Sequence, residues 1–473
     1  MSRLEVNVYK EKISPFLLVA ITLLGVIFIG SILLFLDYGF LHNWSNLSFQ
    51  DYIDSLLISV SATCVTGLTS HSEGIVNAYS MFGHIVIMLL IQVGGLGFLT
   101  ILAFVLFIFA GKLKFKDRHY ISQIVGSSSV AHVGKFVKKI ILISFICELI
   151  GFGLSIPAFI NLYPDNIGEA IFKALFHSIS AFNNAGFDII GSQNLIVNSS
   201  NPVLQNAPEW AVIYLQFVTM FLIILGGIGY LVIAEIFTFK KPKQWSPFTK
   251  IVLSTTAVLL VAGSLLFIVT ECFKANNPMT PLQAIFQSVT CRTAGFATYD
   301  QSQLSTAGII VSCILMFIGG SPLSTAGGIK TTTIFLVILA IFSYLKGKKA
   351  VAFKRYFSPK QVVKAMSLMF LSLLGILVCY SFIYIIEIIE HGGNPDDLER
   401  SLELFLEVFS AFGTTGLSAN LTPNLQWGSK LIICLLMFVG RIGPITLFSI
   451  FSKNIDKDDN LHFNYVQSDI LIG

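Results

Sequence analysis

Apolar stretches of membrane-crossing length alternate along this chain with short amphipathic stretches and polar links. The runs 15–36, 84–110, 211–239, 251–270, 361–389 and 430–452 approach or exceed the roughly 20 residues that a bilayer-spanning helix needs. Between them lie four segments, 51–63, 168–182, 280–291 and 399–412, each too short to cross. The pattern predicts one order of elements, repeated four times. An outward helix comes first (about 15–37, 136–160, 248–272 and 361–389), then a polar external stretch and a short re-entrant helix. An inward helix closes each unit (about 80–110, 210–239, 307–341 and 429–452). The first run is too long for a signal-peptide core and no A-x-A pattern follows it, so it reads as a retained helix.

The four short segments end alike. They read S-A-T-C-V-T-G-L at 61–68, S-A-F-N-N-A-G-F at 180–187, V-T-C-R-T-A-G-F at 289–296 and S-A-F-G-T-T-G-L at 410–417. Their glycines, Gly67, Gly186, Gly295 and Gly416, are 119, 109 and 121 residues apart. So regular a period predicts internal structural repeats.

Charge adds direction. Only 12% of the 473 residues are charged, against about 25% in a soluble domain. Arg3, Lys10 and Lys12, seven Lys/Arg in 112–139, four in 240–250, seven in 346–364, and Lys453 and Lys457 together make 23 of the 30 basic residues. The segments between these blocks carry acids instead, among them Asp54, Glu73, Asp165, Asp188, Asp300, Asp396, Asp397 and Glu399. The positive-inside rule makes the basic blocks, and so both termini, cytoplasmic. The blocks divide the chain into 1–111, 112–241, 242–347 and 348–473, each running from inside to outside and back. Four repeats in one direction imply a pseudo-fourfold axis normal to the membrane, not an inverted-repeat transporter. The predicted fold is an all-α membrane protein with eight spanning helices and four re-entrant helices around a central pore.

Non-helical backbone at membrane depth persists only where protein buries it or it lines a wet cavity. A re-entrant helix that returns as extended chain meets that condition at a pore axis. Its carbonyls then replace the water shell of a cation, and its negative C-terminal end points at the ion. Glycine opens backbone angles closed to other residues and keeps side chains off the axis. The candidate filter comprises Cys64-Val65-Thr66-Gly67, Asn183-Asn184-Ala185-Gly186, Arg292-Thr293-Ala294-Gly295 and Gly413-Thr414-Thr415-Gly416. The ion sites are backbone carbonyls beside the four glycines.

These loops, Gln92-Val93-Gly94-Gly95-Leu96-Gly97-Phe98, and Gly319-Gly320-Ser321-Pro322 carry a resemblance over nearly the whole chain. The sequence resembles the Trk/Ktr/HKT superfamily of potassium uptake proteins, and within it the Ktr-type membrane subunits. The resemblance implies four potassium-channel-like M1-P-M2 units with one filter glycine each. It also implies potassium uptake in the plasma membrane by a homodimer, on a cytoplasmic ring of RCK-type subunits that bind ATP or ADP, with sodium as an activator. Sodium-preferring relatives commonly carry serine at the first glycine, so Gly67 fits potassium. The cytoplasmic loops and the tail Asn454–Gly473 are the expected docking surface. The chain itself is expected to hold no cofactor, to contact lipid and not nucleic acid, and to be no enzyme.

The third inward helix is interrupted by G-G-S-P-L-S-T-A-G-G-I-K-T-T-T at 319–333, which does not hold a regular helix. One reading is a kinked helix packed on small residues; the other is a loop under the filter that closes the pore. The resemblance implies a gating loop and carries that role to Gly319, Gly320, Ser321, Pro322, Ser324, Thr325, Ala326, Gly327, Gly328 and Lys330. It also implies that Arg441 contacts this loop, and we expect Arg441 to bond carbonyls of 319–328 and to pair with an acid such as Glu235. Arg292, Lys330 and Arg441 are read as the basic residues at membrane depth, with Arg292 packed behind the filter. Glu148 reads as a structural hydrogen-bonding group toward a neighbouring repeat, or else as a proton or sodium site. Asp188 is expected to gather cations at the outer mouth. The seven cysteines read as small apolar residues. The eight histidines show no metal-ligand spacing, and no P-loop or dinucleotide fingerprint is present. A sodium-selective or coupled transporter on the same fold, and a non-conducting scaffold, are the rival readings.

Overall fold

The computed structural model describes residues 15–42, 44–72, 74–96, 133–190, 203–204, 207–238, 241–391 and 398–443. The far ends of the first and last predicted inward segments, Gly97-Phe98 and the tail from 454 lie outside them.

Four long helices match the outward segments: α1 (Pro15–His42), α4 (Val133–Leu162), α8 (Pro247–Glu271) and α12 (Pro359–His391). Four short ones match the re-entrant segments: α2 (Phe49–Cys64), α5 (Ile167–Phe182), α9 (Pro281–Thr290) and α13 (Leu398–Gly413). The inward segments hold α3 (Met81–Gly95), α6 (Glu209–Ile228) followed by α7 (Tyr230–Ile236), α10 (Thr306–Phe317) followed by α11 (Thr331–Leu345), and α14 (Trp427–Ile442). A two-stranded hairpin, β1 (Val351–Ala352) and β2 (Arg355–Tyr356), joins α11 to α12. Among the described residues, α1, α4, α6, α8 and α12 contain stretches long and apolar enough to cross a membrane.

Local chemistry sets the helix starts. Ser48 with Asp51, and Thr280 with Gln283, form capping boxes on α2 and α9. Asn166 accepts from the Glu169 N–H at the start of α5. The long helices turn apolar side chains outward: Leu149, Val269, Phe370 and Ile389 are about two-thirds exposed, as a lipid-facing surface requires. The short helices are instead wrapped by protein, and α2 is buried at eleven of its twelve positions from Ile53 to Cys64.

Three of the long helices are each fastened to the start of a later helix by one device. Asp37 of α1 accepts from the Ser80 N–H at 2.9 Å and its hydroxyl at 2.5 Å, at the N-terminus of α3. Glu271 of α8 does the same at Ser305, before α10, and Glu387 of α12 accepts from the Gln426 N–H at 3.1 Å, before α14. A carboxylate there satisfies unpaired N–H groups and complements the helix dipole.

Candidate functional site

The four glycine loops meet. Each leaves its short helix through a left-handed residue two places before the glycine: Val65 (φ 57°), Asn184 (φ 59°), Thr293 (φ 69°) and Thr414 (φ 50°). The glycines follow at φ 101°, 69°, 80° and 88°. Three of the left-handed residues are β-branched, the least suited type for that region. Each such position costs about 1–3 kcal/mol, and strain of this kind persists where the surroundings impose it.

Contacts between loops close on themselves. A Cβ built on Gly67 would stand 2.6 Å from the Ala185 carbonyl oxygen, and one on Gly186 would stand 2.7 Å from that of Ala294. On Gly295 it would collide with the Thr415 carbonyl oxygen, and on Gly416 with that of Thr66. Each glycine thus faces the carbonyl that precedes the next loop's glycine, and the last loop returns to the first. No side chain fits at any of the four.

Serines and threonines hold the loops in two ways. In the first and fourth, the Gly67 and Gly416 N–H groups each donate to a serine hydroxyl, Ser61 and Ser410, at 3.0 Å. In the second and third, the Ser180 and Thr290 hydroxyls each donate at 2.6 Å to the carbonyl after the glycine, Phe187 or Phe296. These bonds turn the loop backbone without placing a side chain among the glycines.

Gly67, Gly186 and Gly416 form part of the wall of a cavity of about 330 Å³. Asp188 and Asp300 also line it, with no lysine or arginine among the described lining residues. His71 lines it too. Burial, and then the Lys430 charge, hold its imidazole down at about 4, so it is neutral near pH 7. The cavity is therefore electronegative, the sign that concentrates cations.

On the other side of the loops the chain between α10 and α11 crosses as irregular backbone. Gly327 lies against the Thr414 side chain, and the Thr325 hydroxyl donates to the Phe182 carbonyl at 3.4 Å. The Ser321 N–H donates to the Gly227 carbonyl at 3.0 Å, its hydroxyl to Ile228 at 2.6 Å, and the Tyr230 N–H to Leu323 at 3.0 Å. Lys330 folds back to donate to the Ala326 carbonyl at 2.7 Å. Arg441 donates to the carbonyls of Thr325 and Gly94. Arg292, buried, reaches the Gly319 carbonyl at 3.4 Å. Three basic side chains thus hold one small-residue segment by its carbonyls.

A family model described as cation transport protein, TrkH, matches residues 28–463. The chain is 33% identical to the potassium/sodium uptake protein NtpJ of Enterococcus hirae, covering 98% of both chains. It is also 33% identical to the Ktr system potassium uptake protein B of Bacillus subtilis, covering 98% of this chain and 97% of that one. The chain belongs to the TrkH family of cation transport proteins. The solved structure of the potassium transporter TrkH from Vibrio parahaemolyticus shares its fold, with a TM-score of 0.67 and 18% identity, over 94% of this chain and 86% of that one. With its apolar helices, this TrkH-family chain is a multi-pass membrane protein, and its relatives are transporters rather than enzymes.

Several features of this TrkH-family site differ from the sequence reading or escaped it. Arg441 does not pair with Glu235, whose carboxylate accepts from the Ser246 N–H at 2.8 Å and hydroxyl at 2.7 Å and also from Thr249. Glu235 caps α8 instead. A buried basic residue outside that reading, Lys430, pairs with Asp54 at 2.5 Å. Glu148 accepts from Gln92 at 3.0 and 3.1 Å, Ser144 at 2.8 Å and Asn183 at 3.1 Å, which ties α4 to α3 and to the second glycine loop. The run 209–236 also breaks, between α6 and α7 at Gly229 (φ 88°), beside the 318–330 segment. A short recurrence carried that signal: Gly94-Gly95-Leu96-Gly97, Gly226-Gly227-Ile228-Gly229, Gly319-Gly320-Ser321-Pro322 and Gly440-Arg441-Ile442-Gly443. Cβ atoms on Gly94, Gly226 and Gly440 would strike the carbonyls of Thr63, Phe182 and Phe412 at the ends of the short helices.

Proposed function

We propose that this chain is a potassium uptake protein in which four M1-P-M2 units surround one pore with pseudo-fourfold symmetry. The observation that carries the reading is the closed cycle of contacts among Gly67, Gly186, Gly295 and Gly416. A scaffold has no use for four glycines that each exclude a side chain and face a carbonyl. A potassium ion leaves its water in the electronegative cavity and is coordinated by backbone carbonyls beside the four glycines. An inside-negative potential drives it inward with about 2.3 kcal/mol per charge per 100 mV, so the step needs no ATP. Gly67 in the first loop favours potassium over the sodium-selective alternative, and the relatives named above are potassium or potassium/sodium uptake proteins.

The segment 319–328, held by Lys330 and Arg441, is the gate under this reading. Backbone across the path and positive charge beside it both oppose a cation. The protein works as a homodimer in the plasma membrane, with both termini cytoplasmic. An RCK-type subunit ring that binds ATP or ADP sets the gate from the cytoplasmic side, and sodium activates.

Cells lacking their own potassium uptake test this reading. Expression of the chain with a cytoplasmic RCK-type subunit is expected to restore growth at low external potassium. No rescue, with the chain present in the membrane, contradicts it. Sodium that suppresses rubidium uptake as strongly as potassium does supports the sodium alternative. The gate has its own test. Arg441→Gln removes charge-assisted bonds worth about 1.5–3 kcal/mol each, so partner-free rubidium uptake into vesicles is expected to rise roughly tenfold or more. Unchanged uptake would remove Arg441 from the gate.

A further inference from the structure

The link between α11 and α12 is a built structure rather than a slack loop. β1 and β2 pair with Val351 opposite Tyr356 and Ala352 opposite Arg355, and the Phe357 N–H donates to the Ala350 carbonyl at 3.0 Å. Phe353 and Lys354 form the turn at φ 49° and 62°, a tight two-residue hairpin connection. Such turns usually carry Asn or Gly. Here an aromatic ring and a cation occupy the tip.

Charge and apolar surface coincide on this element. Lys346, Lys348, Lys349, Lys354 and Arg355 lie within ten residues, and no Asp or Glu occurs between Asp300 and Glu387. Leu345, Val351, Phe353 and Tyr356 expose 73%, 53%, 43% and 55% of their surface. The hairpin follows one apolar helix and precedes another that can cross the membrane, so the chain holds it at the membrane boundary. Interfacial aromatic residues beside clustered Lys and Arg match acidic headgroups over a short acyl region. A purely soluble acidic partner would not need the apolar side chains.

The hairpin also touches the element that follows the 318–330 segment. The Phe353 ring stacks on Phe335 of α11, with centroids 6.4 Å apart and planes 27° apart. α11 begins at Thr331, one residue after Lys330. We propose that the hairpin binds anionic phospholipid headgroups and transmits that binding through α11 to the segment 319–328. The coupling half rests on the gating role argued above; the lipid site does not.

The test uses the purified full chain in vesicles of phosphatidylcholine, with or without phosphatidylglycerol. The native chain is compared with a variant carrying Lys346→Gln, Lys348→Gln, Lys349→Gln, Lys354→Gln and Arg355→Gln. Native mass spectrometry is expected to find several-fold more phosphatidylglycerol retained by the native chain than by the variant. Rubidium uptake is expected to change several-fold with phosphatidylglycerol in the native chain and not in the variant. Equal retention by both chains overturns the lipid site and leaves the charge to an acidic protein partner. Unequal retention with uptake equally lipid-sensitive in both chains overturns the coupling. If no vesicle shows uptake, the retention arm still decides the lipid site, and the transport reading is what fails. Should the variant not fold, acetylation of Lys349 and Lys354 in the native chain decides the site. It is expected to slow several-fold when phosphatidylglycerol is present, and equal rates overturn the proposal.

Discussion

Gly295→Ser is expected to lower the apparent potassium affinity of uptake by roughly tenfold to a hundredfold. Gly295 sits at φ 80°, and a Cβ there would collide with the Thr415 carbonyl oxygen while lying 3.2 Å from that of Thr66. Both atoms are loop backbone, so neither moves aside as a flexible side chain would. The substitution adds backbone strain of about 1–3 kcal/mol, or must shift a loop carbonyl that the proposed filter uses. At about 1.4 kcal/mol per tenfold, that strain alone spans the stated range. Rubidium uptake titrated with potassium measures it. Gly375→Ser supplies the control, because nothing lies within 4 Å of its Cβ position, and it is expected to leave affinity unchanged. Equal effects of the two substitutions would mean that Gly295 has no special place at the ion path.

Lys430→Met is expected to destabilise the protein by about 3–5 kcal/mol, the usual result of leaving one member of a buried ion pair alone. Lys430 is 1% exposed on the first turn of α14, and its ammonium lies 2.5 Å from Asp54 of α2. Nearby, Phe49 and Trp427 meet edge to face with centroids 6.2 Å apart. Deeper, Arg441 of α14 donates to the Gly94 carbonyl at the end of α3. These contacts join α14 to α2 and α3, which lie far from it along the chain. Lys430→Met and Asp54→Asn are each expected to lower the detergent-solubilised melting temperature, and the double variant to recover more than half of the loss. A double-mutant cycle isolates the pair in this way. Additive losses would show that the two side chains do not depend on each other.

Backbone demands left a clear trace in the sequence. A position that must adopt positive φ and meet a carbonyl accepts only glycine, so Gly67, Gly186, Gly295 and Gly416 stand out once their contexts are aligned. The short helices were equally legible, because their length rules out crossing and their polar ends mark the loops. What the sequence hid follows from physics of a different range. Val65, Thr293 and Thr414 adopt the left-handed region against their own preference, so propensity points away from it. Asp54 and Lys430 are 376 positions apart, and a lysine near a helix end reads as a solvated flank until its partner is placed. Gly229 lies in an apolar run, where glycine reads as close packing. Its break is dictated by the neighbouring segment, which supplies the Leu323 carbonyl to the Tyr230 N–H. Arg441 was legible as a carbonyl-binding residue, but not the fact that its second bond goes to Gly94.

The most direct test of the central claim is rubidium uptake competed by potassium and by sodium. It would compare the native chain with Gly67→Ser, Gly186→Ser, Gly295→Ser and Gly416→Ser, each expressed with a cytoplasmic RCK-type subunit in cells without their own potassium uptake. The account predicts that potassium competes far better than sodium in the native chain, and that every one of the four substitutions narrows the difference. Native uptake with no preference between the ions, or four variants that all keep the native ratio, would contradict it.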